Sequence, residues 1–229
     1  MDPLAGTPWS SPRTVEGFVK GEPNKRLLAY AAQVQAAGGR VALDIGCGAG
    51  RNTVPLADLG WRMLGTDLSW AMLEAAQTRA STGDQRRALL LVHAPMEALP
   101  VRSASVDLVI AHGIWNLATS DTQFRTAVAE AARVVRPGGS LFLFTFSRRT
   151  LPPEASPLSG QALTFTQFSG TPQIFLTEAQ LRAELGRAGF QPDETLPLVE
   201  HNAPAGRTVV VAGGGPVIYE VGFIRSATA

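Results

Sequence analysis

Residues 42–50, ALDIGCGAG, run from an apolar segment through one acid, Asp44, into three glycines on alternate positions. Glycine reaches backbone conformations closed to other residues and carries no Cβ, so a chain makes this turn where something must come close to its backbone. Upstream, RVALDI (40–45) reads as a short buried strand. Downstream, RNTVPLADLG (51–60) reads as a helix in which Pro55 is tolerable only in the first turn and which Gly60 stops. A helix start offers unpaired N–H groups just beyond the turn.

The same alternation continues along the chain. NKRLLAYAAQVQAA (24–37) suits a helix ended by Gly38-Gly39, and SWAMLEAAQTRA (69–80) suits one capped by Ser69. SDTQFRTAVAEAARVV (120–135) opens with a capping box, Ser120 and Gln123, and stops at RPGG; TEAQLRAELGRAG (177–189) opens with another, Thr177 and Gln180. WRMLGTD (61–67), ALLLVHA (88–94), SVDLVIAH (105–112) and SLFLFTFS (140–147) read as strands, and RTVVVAGGGPVIYEVGFIR (207–225) as two strands around a Gly-Pro turn. Five alternations with strands apolar on both faces imply a mostly parallel sheet covered by helices on both sides, closed by an antiparallel hairpin. We expect one domain over 1–229, with an amino-terminal arm and helix (1–39) and an inserted loop over a substrate, rich in Pro, Ser, Thr and Gly, at 148–176.

The 229 residues are 45% hydrophobic and 17% charged, a globular composition, and the formal charge of +1 provides no bulk field for nucleic acid or anionic lipid. One cysteine, Cys47, excludes an intrachain disulfide and points to a reducing compartment. No basic-then-apolar leader and no run of about 18 apolar residues is present, so the expectation is a cytoplasmic protein without a membrane contact. The three histidines and one cysteine show no metal-ligand spacing, so no metal is expected.

The glycine spacing selects the ligand. A dinucleotide turn, Gly-x-Gly-x-x-Gly, needs its third glycine at 51 or 53, which are Arg and Thr, and no Gly-Lys-Ser/Thr ending marks a phosphate loop. A carboxylate at Asp44 repels a pyrophosphate and welcomes an ammonium or sulfonium. Asp67, at the end of the second strand, can accept both hydroxyls of a ribose. The pattern asks for a nucleoside with a cationic group and no phosphate, which S-adenosylmethionine fits.

VALDIGCGAGRNTVPLADLG, GTDLSWAMLEAAQ, MEALPVRSASVDLVIAHGIWNL and ARVVRPGGSLFLFTFS resemble, in order, the successive motifs of the class I S-adenosylmethionine-dependent methyltransferases, over roughly residues 25–190. GRN after the turn also resembles the small-molecule branch. The resemblance implies a Rossmann-like sheet of seven strands and a product S-adenosylhomocysteine. It implies that Asp44 and the turn Gly46-Cys47-Gly48, with Gly50, hold the methionine end, that Asp67 holds the ribose, and that Leu68 and Met72 flank the adenine. Met96 would meet the adenine edge through its backbone, and His112 would line the cofactor near the sulfonium and is the catalytic candidate. The family often reads Gly-Asp-Ala before EALP, its acid accepting from the adenine amino group; here the residues are Ala94-Pro95-Met96, with His93 and Glu97 as neighbours.

Acceptor contacts are expected from Phe18, Trp115, Asn116, Phe146, Arg148 and Arg149, with His201 a further histidine near the carboxyl end. Trp115 also suits a core, and Arg148-Arg149 a solvated pair. The expected activity is transfer of a methyl group to a small organic acceptor by a monomer or homodimer that binds no nucleic acid. The alternatives are a protein or RNA methyltransferase and a nucleoside-binding partner protein without chemistry; residue 51 being Arg disfavours an NAD-type oxidoreductase.

Overall fold

Strand β1 (Val41–Ile45), which leads into the glycine turn, lies between β2 (Arg62–Asp67) and β4 (Val106–His112) and is parallel to both. The computed structural model describes residues 3–81, 88–203 and 215–227. Beyond β2 lies β3 (Leu89–His93), and beyond β4 lie β5 (Val135–Phe146), parallel, and β10 (Ile218–Arg225), antiparallel. The chain therefore winds from β1 towards β3 and then crosses back to β4. That reversal beside β1 opens a crevice at the carboxyl ends of the strands, and the glycine turn sits in it.

Both faces of the sheet are covered. Helix α2 (Lys25–Ala36) turns Leu27, Tyr30 and Ala31 onto Ala42, Leu108, Ile110 and Phe142. On the other face, α5 (Asp121–Val134) and α6 (Glu178–Arg187) bury Phe124, Val128, Leu181 and Leu185 with Leu43, Val109, Leu141 and Phe223. Each such large side chain taken fully from water contributes about 1.5–3 kcal/mol. Helices α1 (Pro12–Lys20), α3 (Thr53–Asp58) and α4 (Trp70–Ala80) surround the first three strands. No described helix is long and apolar enough to cross a membrane.

Most of the expected elements form, with boundaries shifted by a few residues. Ser69 caps α4 through Met72 N–H, and the Thr177–Gln180 box closes in both directions. The Ser120 box closes in one direction only: Ser120 Oγ accepts from Gln123 N–H, but the Gln123 side chain accepts from Thr119 instead. Strand β5 starts at Val135, earlier than expected, because RPGG does not leave the sheet; a register shift against β4 occurs there, with Gly138 at φ +72°.

The far edge of the sheet differs in kind. The first strand expected for the terminal hairpin, at 207–213, falls outside the described residues. Two short strands that were not expected, β8 (Phe190–Pro192) and β9 (Val199–His201), both pair antiparallel with β10 and share the seventh place across the sheet. The insertion after β5 carries a small hairpin, β6 (Thr164–Phe165) and β7 (Gln173–Ile174), pinned to α5 by the buried Asp121 carboxylate.

Candidate functional site

Gly46, Gly48 and Gly50 have φ of +69°, +53° and +74°, the left-handed region that the alternating glycines anticipated. At Gly46 a Cβ would lie 2.6 Å from the Ile114 side chain, so the loop after β4 closes directly on the turn. Cys47 tucks beneath it, where Gly65 of β2 leaves room for its sulfur. Burial pushes the Cys47 thiol well up, which keeps it protonated and suits packing rather than attack.

Asp67 ties the first two strand ends together. Its Oδ2 accepts from Gly48 N–H at 2.9 Å and its Oδ1 from Ser69 N–H at 2.8 Å. A carboxylate has about four lone-pair sites, so capacity remains for a further donor. Burial raises the Asp67 carboxyl, and the backbone N–H groups of Ser69, Gly48 and Leu68 counteract the shift. Asp44 lies deeper, fully buried at the foot of the turn, and accepts from Thr53 Oγ1 at 2.6 Å. Burial raises it to about 7, against the pull of Thr53 and of the Arg51 guanidinium.

Leu68, next in the chain, is half-buried; Met72 and Met96 are buried, and the Met72 sulfur would lie 3.9 Å from a Cβ on Gly48. Phe18 of α1 covers the turn: a Cβ on Gly48 would lie 3.2 Å from its ring, and Trp9 meets Phe18 edge to face. The arm is further held by Ser69 Oγ donating to the Trp9 carbonyl and by Arg79 donating to that of Val19. Phe18 therefore lies over the glycine turn. His93 stacks on Trp70 at 4.5 Å and hydrogen-bonds through Nε2 to the Leu68 carbonyl. Glu97 accepts from Gln123 through Oε1, while its buried Oε2 has no hydrogen-bond partner.

His112, Phe144 and Glu220 are direct neighbours across β4, β5 and β10. The His112 ring stacks on Phe144 at 4.1 Å, and burial together with Arg51 lowers its pKa to about 4. The residue joining this row was not singled out from the sequence: Asn24, the N-cap of α2. Its Oδ1 accepts from Arg26 and Leu27 N–H, and its Nδ2 lies 3.2 Å from His112 Nε2 and donates to Glu220 Oε2 at 2.7 Å. Arg26 donates to Glu220 and to the Pro197 carbonyl. His201 Nε2 is 3.6 Å from Glu220, which brings that histidine to the same row. Asn24 opens the helix expected over 24–37, and nothing local marked its partners, 88 and 196 residues away.

The remaining acceptor candidates disperse. Trp115 is wholly buried in the core, edge to face with Phe124. Asn116 is buried beside Gly113, and its Oδ1 has no partner. Phe146 joins Phe168 and Phe175 beneath the insertion. Arg148 donates to the carbonyls of Leu151, Pro152, Pro153 and Ala155 and lies over Phe165, so it folds the insertion onto the sheet. Arg149 pairs with Glu200.

Residues 43–143 match the family model described as a methyltransferase domain. Among curated proteins, the chain is 29% identical over 201 residues to a probable S-adenosylmethionine-dependent methyltransferase of Mycolicibacterium smegmatis, a match covering 85% of this chain and 71% of that one. It is 38% identical over 111 residues to a ubiquinone/menaquinone biosynthesis C-methyltransferase of Acidiphilium cryptum, covering 48% of this chain and spanning less than half, 43%, of that relative. A solved SAM-dependent methyltransferase from Methanosarcina mazei shares the fold, with a TM-score of 0.68 at 18% identity, over 89% of this chain and 99% of that one.

Proposed function

We propose that this chain is a class I S-adenosylmethionine-dependent methyltransferase that moves the methyl group of that cofactor onto a small organic acceptor by in-line displacement. The observation that carries the reading is Asp67, whose carboxylate is fixed by two backbone N–H groups at the glycine turn and keeps lone pairs for a ribose. The likeness to a quinone-pathway C-methyltransferase and the near-neutral charge support a small acceptor over a nucleic acid.

The bound cofactor supplies an electrophilic methyl group on a sulfonium that leaves readily. The protein's part is to hold and orient. Leu68 and Met72 would bracket the adenine, with the Met96 backbone at its edge. Pro95 offers neither carboxylate nor N–H. His93 is committed to Leu68 and Trp70, so Glu97, with one buried oxygen unpartnered, is the acid left on this segment to accept from the adenine amino group. The N–H groups of the turn, with Asp44 below, would receive the methionine end, and Phe18 would cover it. Phe146, at the end of β5, is the candidate nearest the acceptor side, where it packs with Phe168 and Phe175 under the insertion. His112 stays neutral at neutral pH, and its engagement by Asn24 supports a positioning role over proton transfer. A thiolate or carboxylate acceptor needs no base.

Calorimetric titration with S-adenosylmethionine, S-adenosylhomocysteine and NAD tests the reading. Micromolar binding of the first two and none of NAD is the expected result, followed by turnover with a panel of phenols, thiols and carboxylic acids. Binding of NAD alone, or turnover only on protein or RNA, overturns it.

A further inference from the structure

Asn116 is a buried amide with nothing to bind. It lies in the single turn Trp115–Leu117 after β4 and is 2% exposed. Among the described residues no hydrogen bond reaches its side chain, and its Oδ1 is one of the buried atoms left without a partner. A polar group in that state costs stability. An apolar side chain of the same size would fill the core better, so the amide calls for a use.

The spot it points to is defined by Gly113. Apart from its chain neighbours, a Cβ on Gly113 would meet two described atoms, Phe144 Cδ1 at 3.9 Å and Asn116 Oδ1 at 4.0 Å. The amide and the ring therefore converge at the carboxyl ends of β4 and β5, where an open sheet of this kind takes its ligands. Phe144 stacks there on His112 at 4.1 Å, and Ile114 closes on Gly46 of the glycine turn. His112, Gly113, Ile114 and Phe144 are half-buried, so this corner opens on the crevice with Asn116 as its floor. Strand β7 of the insertion packs on the turn that carries Asn116.

No hydrogen bond holds the amide, so it can turn its oxygen or its nitrogen to an arriving group without breaking one. A hydroxyl both donates and accepts, and is satisfied either way. An amide carries no charge, so it answers a neutral group and leaves an anion unpaired. We propose that Asn116 binds the methyl acceptor through a neutral hydroxyl, phenolic or alcoholic, with the apolar body of that molecule beside Phe144. This rests on the methyl-transfer reading above and narrows it, favouring a hydroxyl compound over a thiolate or a carboxylate.

Asn116→Leu keeps the volume and removes the amide. Urea unfolding without ligand compares it with wild type, and calorimetry titrates both with S-adenosylhomocysteine. With that nucleoside at saturation, phenol, toluene and benzoate are then added to isotope-labelled protein. The side-chain amide signal of Asn116, identified by its absence from the variant, is followed by NMR.

The variant is expected to unfold at a higher urea concentration than wild type, because an unpaired buried amide has gone, and to bind S-adenosylhomocysteine equally well. Phenol moves the Asn116 signal in wild type and binds the variant about tenfold more weakly, as loss of one hydrogen bond does. Toluene, of the same shape without the hydroxyl, shifts the signal less and binds both proteins alike. The proposal is overturned if the variant unfolds earlier, which means that the amide is bonded within the fold. It is also overturned if toluene moves the signal as much as phenol, if benzoate is the probe that the variant loses, or if phenol leaves the signal in place. Failure of wild type to bind S-adenosylhomocysteine refutes the cofactor reading instead; the phenol and toluene titrations, run without the nucleoside, still decide Asn116.

Discussion

The two halves of this sheet hold ligand-facing groups by different means. Around β1 and β2 the site is made of main chain: three glycines in left-handed conformations, and a carboxylate clamped by the N–H groups of residues 48 and 69. Around β5 and β10 it is made of side chains that meet over long sequence distances, Arg26 and Asn24 on Glu220 and Arg149 on Glu200. The first construction is stiff. The second is held one hydrogen bond at a time, and can be rebuilt residue by residue without disturbing the turn.

The sharpest test of that contrast sets two glycines against each other. Gly46→Ala meets both an adverse φ and the Ile114 side chain, and is expected to cost roughly 2–4 kcal/mol in urea unfolding. Gly138→Ala has a similar φ of +72°, but its nearest neighbour is the Arg136 side-chain tip at 3.8 Å, so only about 1 kcal/mol is expected. Equal costs would break the distinction. Next, Asp67→Ala should weaken S-adenosylhomocysteine about 10- to 100-fold, as loss of charge-assisted hydrogen bonds does, with the far-ultraviolet spectrum unchanged; unchanged affinity removes Asp67 from the site.

Acidity separates the regions a third way. Asp44 is raised in the fold to about 7, so from about pH 4 to 7 the native state holds more protons than the unfolded chain, and its contribution to stability falls as pH rises. His112 is lowered to about 4, so between about 4 and 6.5 the unfolded chain holds more, and its contribution is lost as pH falls. The two slopes oppose each other in wild type. Asp44→Asn should leave stability rising with pH across this window, and His112→Gln should leave it falling; unfolding midpoints from pH 4 to 7.5 show the signs. Smallest of all, Arg149→Gln removes a half-exposed pair with Glu200 and should change stability by less than about 1 kcal/mol.

The same contrast explains what the sequence disclosed. The strand–turn–helix at 41–58, Asp67 and the Ser69 cap are written within a few residues of one another, because local φ and capping chemistry decide them. Much of the acceptor side was not legible, since its bonds join residues nearly 200 apart and leave no periodic trace. Asn24 was read only as the first residue of a helix, and nothing marked it as the holder of His112. Trp115 looked the same whether it lined a pocket or filled the core; only the packing of Phe124 against it places it inside. β8 and β9 are three residues each, too short for any alternation to show.

Those two short strands also govern how the molecule behaves in company. β10 is buried for six consecutive residues, Ile218 to Phe223, and as an outermost strand it would offer a long apolar ribbon for a second chain to zip onto. Instead, its free side is paired by two fragments, one of them ending in Pro192 and separated from the other by the stretch anchored through Asp193 to Tyr30. Neither fragment is long enough to template edge-to-edge growth. Variants that loosen the Asp193–Tyr30 anchor should therefore be recognised first by their turbidity at high concentration, before any loss of helix or sheet is measurable.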